Sequence, residues 1–113
     1  MNLLARLTML CDITPVSGQD TAGDVTYGPQ INDIACYVFG SSRRFRNEKG
    51  EEYIPEFQLL LYPSTDVNLN YKIDNIRDKY ETVILKETVV NNVQIFNHPR
   101  HGPVITTAYL SRR

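Results

Sequence analysis

The chain has no tryptophan and only two histidines, two methionines and two cysteines. Two cysteines are too few for a disulfide-built scaffold, and a chain of 113 residues can bury one core without such staples. Cys11 and Cys36 lie in the apolar stretches Leu10-Cys11 and Ala35-Cys36-Tyr37-Val38, so they read as small buried hydrophobes in a reducing cytoplasm. With His98 and His101 they make four potential zinc ligands. His98-x-x-His101 is a closely spaced pair, but the cysteines are far apart and embedded in predicted strands. No metal and no cofactor is therefore expected. No apolar run approaches the roughly 20 residues of a membrane helix. Met1 to Thr14 lacks a basic start followed by a continuous apolar stretch, so it does not read as a signal peptide. A membrane role is not expected. A formal net charge of -1 gives no general attraction to polyanions.

Seven tyrosines and four phenylalanines favour strands. Residues 1–9 allow a short helical turn or an irregular lead-in, with Leu3, Leu4, Leu7 and Leu10 at helical steps. Leu10 to Val16 reads as a strand closed by Pro15 and Ser17-Gly18. Gln19 to Gly28 is polar and reads as a mobile loop. Asp33 to Phe39 is a strand, as is the stretch around Leu59-Leu60-Leu61-Tyr62, where Pro55 marks an edge or bulge. Tyr71 to Asp74 is a short strand. Lys79 to Val90 alternates through Tyr80, Val83, Leu85 and Val89, as one strand or as two with a bend near Lys86-Glu87. Gln94 to Phe96 pairs locally, Asn97 to Pro103 forms a tight turn, and Val104 to Leu110 is a β-branched final strand. No long helix is predicted. A single all-β domain spanning 1–113 follows: a small antiparallel barrel of about six or seven strands with long loops, closed because closure removes exposed edges.

The segment 40–50 stands apart. It is bounded by Gly40 and Gly50 and carries Arg43, Arg44, Phe45, Arg46 and Lys49. Long loops in compact domains are usually functional or disordered. Three guanidinium groups beside an aromatic ring suit phosphate, stacked bases or acidic residues of a partner. Phe45 reads as exposed, and a lone wet phenylalanine gains by ordering on a partner. Arg112 and Arg113 form a second cationic group at the chain end. Asp74, Asp78 and Glu81 are placed in a polar turn among lysine and arginine, a setting for solvated charges and not for acid–base chemistry. Neither a nucleophile motif nor a phosphate-cradling glycine loop occurs. No enzymatic activity is expected.

The segments also follow a recognisable order. Leu4-Ala5-Arg6-Leu7-Thr8 leads to Asp24-Val25-Thr26-Tyr27-Gly28 and the strand with Cys36. Phe57-Gln58-Leu59-Leu60-Leu61-Tyr62-Pro63 follows the charged loop. Then come Lys72-Ile73-Asp74-Asn75-Ile76, Tyr80-Glu81-Thr82-Val83, His98-Pro99-Arg100-His101-Gly102-Pro103-Val104 and Thr107-Ala108-Tyr109-Leu110. The series resembles the head-closure proteins of tailed bacteriophages, also termed stopper or head–tail joining proteins, over nearly the whole chain. It departs at two points: Asp78-Lys79 precede Tyr80 where the family carries glycine, and Ile105-Thr106-Thr107 replace a histidine-rich stretch.

The resemblance implies a structural virion protein of the phage neck, made in the bacterial host cytoplasm. Such a protein forms a homo-oligomeric ring, dodecameric in the particle and monomeric when isolated. The ring extends the DNA channel below the portal and adaptor, helps retain packaged double-stranded DNA and offers a docking surface to tail proteins. By the same resemblance the 40–50 loop faces the channel or a neighbour. Two alternatives stand beside this. One is a small oligonucleotide-binding-type barrel for single-stranded nucleic acid, with Arg43, Arg44 and Arg46 guiding the backbone. The other is a tail terminator or adaptor of the same neck.

Overall fold

A computed structural model describes residues 6–41, 44–46 and 49–113. It contains ten strands: β1 (Met9–Thr14), β2 (Val16–Gln19), β3 (Val25–Tyr27), β4 (Ile31–Gly40), β5 (Phe45–Arg46), β6 (Glu52–Tyr53), β7 (Phe57–Leu61), β8 (Lys72–Arg77), β9 (Val83–His98) and β10 (Gly102–Arg112). Six of them close a barrel in the order β1-β4-β7-β10-β9-β8. Every neighbouring pair in it is antiparallel. The expected small all-β barrel is the fold of this chain. β2–β3 and β5–β6 are two-stranded hairpins outside the barrel.

Period-2 alternation fills the interior. Val38 and Cys36 of β4, Leu59 and Leu61 of β7, and Ala108 and Leu110 of β10 all join one core with Cys11, Ile13, Ile73, Ile76, Leu85 and Val90. Cys11 and Cys36 are fully buried free thiols, the packing role assigned to them from sequence. A hydrogen bond with the Cys36 thiol, then burial, pushes the Cys11 thiol well above its ordinary range.

Ile73 and Ile76 both face this core although they are three residues apart. A β-bulge explains it. Asp12 pairs with Asp74 and Leu10 with Arg77, so two steps on β1 span three on β8. Asn75, at φ 51°, takes the extra step. β4 repeats the device on the other side of β1: Cys11 pairs with Ile34 and Ile13 with Ile31, with Asp33 at φ 60° between them.

Several expectations need correction. Gln19 to Gly28 does not form an open loop. β2 and β3 pair through it, and Asp20 Oδ1 accepts the Ala22 and Asp24 amides at 2.9 Å to close the turn. Lys72 Nζ lies 4.0 Å from the Tyr27 ring centroid and fastens this hairpin to the barrel. Lys79 to Val90 is not a strand from its start. Asp78 Oδ1 accepts the Tyr80 and Thr82 amides in a turn, and β9 then runs unbroken for 16 residues. The inward residues there are Leu85, Thr88 and Val90, while Tyr80 and Val83 are exposed. Asp74 belongs to β8 and not to a turn. Residues 1–5 of the lead-in lie outside the described residues. The remainder makes one tight turn, Thr8 N–H to the Arg6 carbonyl at 2.8 Å, before β1.

Candidate functional site

Within the segment 40–50 the described residues Phe45 and Arg46 form β5. Arg43 lies outside the described residues. Phe45 pairs with Tyr53 and Arg46 with Glu52 across β5–β6. Arg44, Arg46 and Lys49 are exposed, whereas Phe45 is half-buried. The Phe45 ring stacks on Tyr53 at 5.9 Å and meets Tyr109 edge-on at 4.6 Å between centroids. This corrects the picture of an exposed phenylalanine. Two tyrosines of the chain itself cover part of its ring.

Tyr109 is the anchor for that contact. Its neighbours Ala108 and Leu110 point into the core, so alternation turns Tyr109 to the outer face of β10. It is nevertheless only 2% exposed, because the β5–β6 hairpin covers it. Pro55, fully buried, carries the chain from this hairpin into β7. The outcome is a short arm packed on the barrel wall, with Arg44, Arg46 and Lys49 exposed. The Arg46 guanidinium reaches the Glu52 carboxylate at 3.4 Å, an exposed pair of little energetic weight.

The C-terminal arginines sit differently. Arg112 Nε lies 3.8 Å from Glu56 Oε2, its backbone N–H donates to Glu56 Oε1, and its guanidinium stands 5.3 Å from the Phe57 ring. Arg113 pairs with Asp74. Ser41, at the base of the charged segment, donates its N–H to the Glu56 carbonyl at 3.2 Å. The two cationic groups singled out from sequence therefore share Glu56 as a foothold. Desolvation holds the Asp74 carboxyl above the usual range, against the pull of Arg113.

A groove of about 520 Å³ runs between Arg46 and Tyr53 on one side and Leu69, Asn70 and Val90–Asn92 on the other. A second hollow of about 350 Å³ is lined by Phe96, Ile105, Tyr109, Gln58, Gln94 and Thr107. At the β9–β10 turn the His98 and His101 rings lie 4.6 Å apart, and the Arg100 N–H donates to His98 Nδ1. No group of three or more histidine, cysteine, aspartate or glutamate side chains is placed to hold a metal ion among the described residues.

Sequence reasoning passed over Asp12. It lies between Cys11 and Ile13 of the core, yet it is 7% exposed and accepts from three neighbours. Asn75 Nδ2 donates to Oδ2 at 3.2 Å, and the Asp33 N–H and Arg77 donate to Oδ1. Arg77 also pairs with Asp33. Burial lowers the Arg77 pKa, but the bonds and charges of Asp12 and Asp33 outweigh it and leave it above the ordinary value. The cluster fills its own valences and locks the two bulges that flank β1. An aspartate set in an otherwise apolar strand is the signal that could have found it.

The chain matches no protein-family model, no curated protein sequence and no solved structure.

Proposed function

We propose that this chain is a non-enzymatic structural protein of the tailed-phage neck, a head-closure component. It assembles as a ring with copies of itself below the portal and adaptor, extends the DNA channel, and gives the tail a docking surface. The observation that carries the proposal is the cationic arm. Arg44, Arg46 and Lys49 stand exposed on a hairpin whose aromatic underside is seated on Tyr109. A rigid barrel that holds a fixed cationic arm suits sequence-blind contact with DNA phosphates or with acidic residues of a neighbour. The ordered motif series supports the same reading, since four of its segments fall on β4, β7, β8 and β10, although Tyr80–Thr82 falls in a turn. Repeated weak contacts around a ring would offset the small contribution of each arm.

Electron microscopy of purified particles tests the assignment: density for the barrel at the neck is expected, and its absence from the neck overturns the proposal. Deleting residues 42–48 and scoring DNA leakage from packaged heads tests the arm. Leakage is the expected result, and unchanged retention would show that the arm does not help to hold packaged DNA.

A further inference from the structure

β9 is longer than its partners. β8 pairs with it only as far as Lys72 opposite Val89, and Asn70 and Tyr71 extend that side by two hydrogen bonds to Val90. On its other side β10 pairs with it out to His98. Among the described residues, no strand pairs with β9 on the β8 side beyond Val90. The β9–β10 ribbon thus leaves the barrel with an open edge.

The hydrogen bonds on that edge are informative. The Val93 N–H donates to Asn92 Oδ1 at 2.8 Å, and the Ile95 carbonyl accepts from Asn97 Nδ2 at 3.3 Å. N–H and C=O groups two residues apart on a strand point the same way. Val93 and Ile95 therefore both face the open side, served there by flanking asparagine side chains and not by a ladder. Such local bonds stand in for a missing strand and are readily exchanged for one. The adjoining side chains are apolar and wet: Ile95 is 53% exposed and Phe96 60%. Long edges with exposed apolar residues pair with other chains unless they are blocked.

Charge narrows the partner. From Thr88 to Arg113 the chain has no aspartate or glutamate, while Arg100, His98 and His101 cluster at the ribbon tip. Two copies paired edge to edge would set one acid-free ribbon against another, so Arg100 of each would meet no carboxylate of its partner's ribbon. We infer that the outward edge of β9 from Val93 to Asn97 is a strand-addition site for an extended, acidic segment of a partner polypeptide. The segment displaces the Asn92 and Asn97 side-chain bonds and pairs with the freed backbone groups. One face of the added strand runs beside Gln94 and Phe96, which border the hollow over β9, β10 and β7, so alternate apolar residues in the segment fit. None of this depends on the neck assignment: a chain that failed every test of that role would still carry the edge.

The test is titration of the full chain with a labelled ten-residue peptide of alternating glutamate and valine. Slowed amide exchange at Val93, Ile95 and Asn97 is expected on binding. N-methylation of alternate peptide amides should abolish binding, and lysine in place of glutamate should weaken it by at least about tenfold. Ile95→Pro removes one outward N–H at an edge position where proline is tolerated. With its thermal melt retained, it should also lose at least about tenfold in affinity. Equal binding by the N-methylated or the lysine peptide overturns the inference, as does unimpaired binding by a folded I95P. Protection of the same amides by self-association alone, seen by sedimentation, would make the occupant a second copy and overturn it too. So would protection by short duplex DNA with no response to the peptide.

Discussion

The Arg77 guanidinium donates to Asp12 Oδ1 at 3.2 Å, and the side chains are only 16% and 10% exposed. Leu10 and Arg77 are register partners, so the arginine reaches along its own strand, past the Asn75 bulge, to meet the aspartate. Removing one partner of a buried pair strands the other charge. Arg77→Leu is expected to cost roughly 3–5 kcal/mol in urea unfolding. The double variant Asp12→Asn with Arg77→Leu should lose clearly less than the two single losses added together. Additive losses would show that the two groups act independently.

Phe45→Ala should uncover Tyr109 without opening the barrel. Phe45 is half-buried, so the expected loss is about 1–2 kcal/mol, below that of a core phenylalanine. Proton chemical shifts of the Tyr109 ring would move strongly, and amide exchange in β4, β7 and β8 would not. Barrel-wide acceleration of exchange would mean that the arm is a structural element of the core.

Asp74 offers a pH test. Its folded pKa is raised, chiefly by desolvation, so the fold favours the protonated carboxyl. Its contribution to stability is then complete below the ordinary aspartate value and is lost as pH rises through the raised one. Asp74→Asn should equal the native chain in stability at pH 3 and exceed it at pH 7. Asparagine keeps an acceptor for Arg113. A less stable D74N at pH 7 would show that the ion pair with Arg113 outweighs desolvation.

The two thiols should be inert in the folded chain. Both are fully buried, and Cys11 is held far from ionisation. A thiol-specific reagent at pH 8 should label neither cysteine until urea unfolds the protein. Labelling in step with global unfolding is the expected result, and rapid modification under native conditions would contradict the closed core.

Much of the barrel was legible in the sequence. Cys36 and Val38, Leu59 and Leu61, and Ala108 and Leu110 announce their strands by simple alternation, and the core contains all six. Legibility fails where the chain leaves period 2. Asn75 and Asp33 adopt left-handed backbone and shift the inward phase, and no local pattern betrays that. β9 misleads for a related reason: Val83 alternates correctly with Leu85 yet lies exposed, because the register against β8 shifts between Ile76 opposite Leu85 and Arg77 opposite Val83. At the candidate site the cations were readable but their setting was not. Phe45 reads as wet because Tyr53 is eight residues away and Tyr109 sixty-four, and only the folded hairpin brings them together. The role of Glu56, shared by Ser41 and Arg112, likewise exists only in three dimensions.

The unbroken course of β9 has a mechanical consequence. The strand joins the Asp78–Thr82 turn to the ribbon tip, and β10 is paired alongside it from Thr88 to His98. A pull that holds the tip at one end and that turn at the other runs parallel to the strand. The load is carried by the covalent backbone of a strand that is already extended, and the cross-strand bonds are spared. A pull that separates the two strands at the open end of the ribbon, at Thr88 and Arg112, would break the cross-strand bonds one after another. The molecule should therefore resist tension along β9 far better than peeling of its ribbon, and a single-molecule experiment with handles in these two geometries would reveal very different rupture forces.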